Sequence, residues 1–170
     1  MMELKEITTI SAPIERCFDL ARSVEVHLAG NVHFGESAVA IGGVTSGLVD
    51  LGQRVTWRAK HLGVWQNLIS EITRYERPTY FRDEMIQGAF KRMGHDHYFS
   101  AKSAYETVMT DLFRFAAPLP ILGNIAEVLV LRRYMTNLLR ERNEVIKTIA
   151  ESEDWRRYLN VAQPSHGMAE

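Results

Sequence analysis

The sequence predicts an α+β domain: a curved antiparallel sheet of about seven strands wrapped around one long C-terminal helix, with two short helices after the first strand. Three observations predict it. Six extended segments follow one another between residues 38 and 116 with short, turn-rich connections, the pattern of successive hairpins. A helical run of about 27 residues follows near the C-terminus and carries a single apolar stripe. The chain has 170 residues, which suits one domain rather than two.

The elements follow in order. Leu4 to Ile10 alternates, with Leu4, Glu6, Thr8 and Ile10 on one face and Lys5, Ile7 and Thr9 on the other. Ser11 is placed to cap a helix whose first turn holds Pro13 and Glu15 and whose buried side is Cys17, Phe18 and Leu20. A second short helix is expected over Val24 to Ala29, ended by Gly30-Asn31. Strands are then expected over Ala38–Ile41, Gln53–His61, Val64–Tyr75, Thr79–Gln87, Arg92–Ala101 and Tyr105–Ala116. Gly42-Gly43, Gly63, Glu76-Arg77-Pro78, Gly88, Lys102-Ser103 and Pro118 end them in turn. In the last helix Asn124 and Glu127 have capping-box spacing. Leu131, Met135, Leu138, Val145 and Ile149 form its stripe, and Arg142 is the one charge within it. The domain is expected to cover 1–159, with 160–170 a disordered tail.

Composition excludes several classes of function. Hydrophobic residues make up 46% of the chain, too many for a disordered protein. The net charge of −1 argues against binding nucleic acid, which needs an excess of Lys and Arg. Cys17 is the single cysteine, so no internal disulfide is expected and a cytoplasmic setting is the natural reading. The most apolar stretch, Phe113 to Leu131, is broken by Pro118, Pro120 and Gly123, so no stable membrane insertion is expected. Phe115 to Leu129 is expected instead to form a mobile rim. Gly42 to Gly47 lacks the Lys and the spacing of a phosphate-binding loop and is expected to be flexible.

The order of elements, together with four runs, resembles the START-like (SRPBCC) superfamily, which includes pathogenesis-related allergen-like proteins and polyketide cyclases. Within it the chain is most similar to a bacterial ligand-binding branch. The runs are Val55-Thr-Trp-Arg-Ala-Lys-His-Leu-Gly63, Glu76-Arg-Pro-Thr-Tyr-Phe-Arg-Asp-Glu-Met85, Gly94-His-Asp-His-Tyr-Phe99, and Thr110-Asp111 before Ala117-Pro-Leu-Pro120. The resemblance implies the helix-grip fold and a cavity between sheet and helix that takes a small hydrophobic molecule. A partner domain or a homodimer stays open, and no cofactor is implied.

Parity then selects the candidate residues. His95 and His97 share a strand face with Met93 and Phe99, and Asp111 shares one with Met109, Phe113 and Phe115. Asp83 falls in step with Phe81 and Met85. Two imidazoles with a carboxylate can hold a metal or exchange protons. They can equally form a hydrogen-bonded patch that orients a ligand, and this is the reading adopted, with no metal. Trp57, Phe81, Asp83, Met85, His95, His97, Phe99, Asp111, Phe113, Met135 and Leu138 are expected to bind the ligand. Arg58 and Lys60 are expected on the solvated face, facing Glu71. Two functions follow. The first is binding of a lipid, isoprenoid or aromatic polyketide. The alternative is a cyclase, dehydratase or hydrolase using His95, His97 and Asp111 as catalytic acid–base groups.

Overall fold

Residues 1–33, 38–61, 64–116 and 125–159 are described by the computed structural model. Alternation in the N-terminal segment produces β1 (Met2–Ile10), with Leu4 and Ile10 buried and Lys5, Ile7 and Thr9 exposed. Two helices follow, α1 (Ile14–Ala21) and α2 (Val24–His33). The meander is β2 (Ala38–Gly43), β3 (Arg54–His61), β4 (Val64–Glu76), β5 (Tyr80–Gln87), β6 (Arg92–Ser103) and β7 (Glu106–Ala116). It ends in α3 (Ile125–Glu151) and the one-turn α4 (Trp155–Leu159).

Each consecutive pair from β2 to β7 is antiparallel, and β1 returns to pair with β7. The seven strands therefore lie in the order β1-β7-β6-β5-β4-β3-β2. α3 packs against β1, α1 and α2. The apolar interior is split in two. One cluster gathers Phe18, Ile10, Met109, Phe99 and Ile146 under α1. The other gathers Leu4, Met93, Phe113, Phe115, Met135 and Leu139 nearer the start of α3.

Local chemistry corrects several expectations. Ser11 does not cap α1, because Pro13 stands at the cap position; the Ser11 amide instead donates to Glu151 Oε1 (2.7 Å). α2 continues through Gly30-Asn31, and its Gly30 packs on the Arg142 backbone of α3. Tertiary support here outweighs the low helix propensity of glycine. β6 runs through Lys102-Ser103, so the turn falls two residues later, at Ala104-Tyr105. Gly42-Gly43 belong to β2, which bulges there. Gly43 has φ +71°, and a side chain on it would collide with the Arg54 carbonyl. The Gly42–Gly47 loop is not free at its far end. Gly47 donates to the Glu25 carboxylate (2.9 Å), and its carbonyl accepts from Val24 N (3.0 Å). Glu71 pairs with Arg54 across the ladder (2.5 Å), not with Arg58, which lies over the Trp65 ring.

In α3 the stripe is wider than the spacing alone implied. Leu139, Asn143 and Ile146 are buried along with Met135 and Ile149, while Leu131, Leu138 and Val145 are only half-buried. A straight helix drifts relative to a seven-residue repeat, so the buried line moves over by one position. The expected Asn124 cap, most of the expected rim and the 160–170 tail lie outside the described residues; Phe115 itself is fully buried in β7.

Leu139 fills the second cluster at 4% exposure, and Leu138 faces open space beside it. Leu139→Ala should therefore cost about 2–5 kcal/mol in urea unfolding, and Leu138→Ala clearly less. Equal losses would contradict this assignment of faces.

Candidate functional site

The site starts from cross-strand register. β5 sets Asp83 opposite His95, and β7 sets Asp111 opposite His97. Parity turns all four inward, and α3 lays Arg142 and Asn143 across them. The centre is Asp111, whose side chain is 1% exposed. Its Oδ1 lies 2.9 Å from His95 Nε2 and 2.6 Å from His97 Nδ1. Its Oδ2 accepts from Asn143 Nδ2 (2.7 Å), which also reaches Thr8 Oγ1 (3.3 Å).

These contacts assign the protons. An ionised carboxylate only accepts, so His95 carries its proton on Nε2. Its Nδ1 then holds a lone pair, and Arg142 Nη1 donates to it at 3.3 Å. Arg142 Nη2 donates to the Ala21 carbonyl (3.1 Å). His97 stacks on Phe81 (4.2 Å between centroids) and beside His95 (3.8 Å). Its Nε2 lies 3.5 Å from Asp83 Oδ1. Neither nitrogen of His97 has the alignment of a hydrogen bond, so charge holds it between two carboxylates.

The titrations agree with this picture. Burial pushes His95 down to about 4, helped by the His97 charge, against the pull of Asp111. Burial also works against a charged His97, but Asp111 and Asp83 overcome it and raise its pKa. Burial works against both carboxylates too. His97 and His95 still hold Asp83 down at about 2 and Asp111 well below its usual range. Asp83 and Asp111 thus face His97, whose charged form they favour, and the guanidinium of Arg142.

A cavity of about 590 Å³ opens beside this cluster, between the sheet and α3. Trp57, Phe81, Phe113, Met135 and Leu138 line it, as do Asp83 and His95. His97, Phe99 and Asp111 are buried beside it and do not line it. Met85 packs instead with the second apolar cluster. Those four of the expected ligand-binding residues are not part of its lining. Sequence reasoning missed Met93, Asn143 and His27 as site residues. Arg142 was visible only as the exception in the α3 stripe. His27, also lowered by burial, to about 3, stacks on Trp57 (4.1 Å), whose indole donates to Ser70 Oγ (3.1 Å).

Among the described residues, Asp83, His95 and His97 are the group able to hold a metal, with donor atoms within 4.8 Å of one another. The fit is imperfect. Arg142 Nη1 already sits on His95 Nδ1, the nitrogen that faces Asp83, and a cation there would meet the guanidinium.

No protein-family model matches the chain, and no curated protein matches its sequence. Solved structures do share its fold. TTHA0849 from Thermus thermophilus is 19% identical with TM-score 0.65, covering 88% of this chain and 99% of that one. A START superfamily protein from Mycobacterium smegmatis is 10% identical with TM-score 0.66, covering 88% and 97%. Major latex-like protein 151 from Panax ginseng is 13% identical with TM-score 0.61, covering 89% and 98%. The likeness is one of fold: the chain has the START-like helix-grip architecture. No helix among the described residues is long and apolar enough to cross a membrane.

The pKa directions fix a pH profile. His95 and His27 are depressed, so the stability of their neutral forms is complete above about 6.5 and is lost as pH falls toward about 4. His97 is raised and works the other way: its contribution is complete below about 6.5 and is lost as pH climbs through its folded value. Urea unfolding should show a loss on the order of 1 kcal/mol or more between pH 7 and pH 5. His27→Phe should shrink that loss. A profile flat from pH 7 to pH 5 in the unmodified protein would contradict the neutral state of His95 and His27.

Proposed function

We propose that the protein binds a small apolar or amphipathic molecule of lipid, isoprenoid or aromatic polyketide kind in the cavity between its sheet and α3. The observation that carries this reading is the cavity itself. Its volume of about 590 Å³ lies within the range of small-molecule sites, and its wall is mostly apolar with a few converging polar groups. Leaving such space empty costs dispersion contacts that a packed core would keep, so an occupant is the natural reason for it. Trp57 offers a flat ring at one side, and Leu138 and Met135 offer flexible aliphatic surface at another. A cytoplasmic location fits a chain with one buried thiol.

A specific observation also supports the enzymatic alternative. His95 is oriented by Asp111 through Nε2 and turns Nδ1 toward Asp83 and the cavity, the arrangement of a general base backed by a carboxylate. Binding remains the better reading. A histidine held at about 4, with its free lone pair taken by Arg142, is a poor base at neutral pH. The other two candidate catalytic groups, His97 and Asp111, do not line the cavity.

The test is occupancy. The uncharged fluorescent probe N-phenylnaphthylamine should bind the delipidated protein with a rise in emission. Leu138→Trp, which fills the cavity, should weaken binding about tenfold or more while leaving the circular dichroism unchanged. A protein that binds no probe, and carries no small molecule when purified from its own host and examined by native mass spectrometry, would refute the proposal.

A further inference from the structure

The charges around the cavity can be audited group by group. Arg22 reaches its wall but is fully compensated: it binds Asp19 (2.9 Å) and Asp50 (2.5 Å), and Arg77 shares Asp19 (2.7 Å). That set holds two cations and two anions. At the polar end of the cavity Asp83 and Asp111 face His97 and Arg142. His97 stands between two carboxylates, its Nδ1 2.6 Å from Asp111 Oδ1 and its Nε2 3.5 Å from Asp83 Oδ1, a setting that favours its protonated form. His95 is neutral on geometry too, because it donates from Nε2 and accepts at Nδ1. His27, held low by burial, adds no charge near neutral pH.

Two of these groups keep unused capacity at the cavity wall. Arg142 uses two N–H groups of its guanidinium, one on His95 and one on the Ala21 carbonyl, and among the described residues the others have no partner. Asp83 is 21% exposed, and its histidine partners, at 3.5 and 3.9 Å, leave its oxygens without an aligned hydrogen bond among the described residues. Both groups flank the same atom, His95 Nδ1, at 3.3 Å for Arg142 Nη1 and 3.9 Å for Asp83 Oδ1. A cationic donor and an anionic acceptor thus stand side by side at the wall of an apolar chamber.

Resting on the reading that the cavity holds a small molecule, we infer that its polar pole selects an uncharged hydroxyl group on an apolar body, an alcohol or a phenol, and rejects carboxylates and amines. One hydroxyl can accept from Arg142 and donate to Asp83, using both. A carboxylate can accept from Arg142 but meets Asp83 and leaves the pole with an extra negative charge. An amine pairs with Asp83 but meets Arg142 and leaves an extra positive charge. An unbalanced charge in a site of this kind is expensive, whereas a neutral group that makes both hydrogen bonds is not.

Displacement of N-phenylnaphthylamine from the full chain at pH 7 by decanol, decanoate and decylamine compares three heads on one body. Decanol should compete at a concentration about tenfold or more below either ion. The pairing also predicts inversions. Asp83→Asn leaves the Arg142 cation at the wall without its neighbouring anion, and decanoate should become the best competitor; Arg142→Gln leaves the Asp83 anion without its neighbouring cation, and decylamine should. Decanoate or decylamine matching decanol in the unmodified protein would overturn the inference, as would an unchanged ranking in both variants. So would stoichiometric zinc surviving dialysis against a chelator, since a metal would then occupy the pole. If the probe binds and none of the three heads displaces it, the inference fails and the binding function stands. If neither probe nor competitors bind, the binding function itself fails.

Discussion

The architecture turns on one buried carboxylate. Asp111 sits in the interior, where an unpaired charge would cost several kcal/mol, and it is stable there only because three other elements bring it partners. β6 supplies His95 and His97, α3 supplies Asn143, and β1 adds Thr8 beyond Asn143. Displacing α3 by one turn would leave Asp111 Oδ2 unsatisfied. The requirement therefore fixes the register of the long helix against the sheet more tightly than apolar contact could, since apolar contact is non-directional.

The same group explains why the interior is divided. Along β6 the inward residues run Met93, His95, His97, Phe99; along β7 they run Phe115, Phe113, Asp111, Met109. α3 repeats the order with Met135 and Leu139, then Arg142 and Asn143, then Ile146. A polar belt thus crosses sheet and helix at one level, with an apolar cluster on each side. The cavity opens at this belt, so any occupant meets Asp83, His95 and Arg142 at one end and hydrocarbon over most of its length.

β6 carries a second buried carboxylate, and the contrast is informative. Asp96 lies between the two histidines in sequence but points to the opposite face. There it accepts from Tyr80 (2.6 Å), Arg82 (2.8 Å) and Arg114 (2.8 Å). Gly94 makes room for the Arg82 guanidinium, which a side chain at that position would strike. Two arginines, charged at every relevant pH, make this a permanent structural clamp. On the inner face the partners are two histidines, whose charge depends on their surroundings, and a neutral amide. One strand thus carries a fixed ion cluster outside and an adjustable one inside.

By itself the sequence determined the fold and the inward set on each strand. Period-two alternation decides which side of a strand faces the core, and it placed His95, His97, Asp111 and Asp83 on the inner face without any tertiary information. Turn residues delimited the hairpins, and one long stripe identified the helix that closes the sheet. What parity cannot give is depth. It put Phe99, His97 and Asp111 on the same face as Asp83 and Phe113, but only the curvature of the sheet and the position of α3 decided which of them reach the cavity and which do not. Nor could it say that Arg142, a charge out of place in an apolar stripe, would donate to His95 47 residues earlier in the chain. That contact, and the proton positions and charge pairing that follow from it, depends on distances between groups far apart in sequence, and these exist only once the helix has packed.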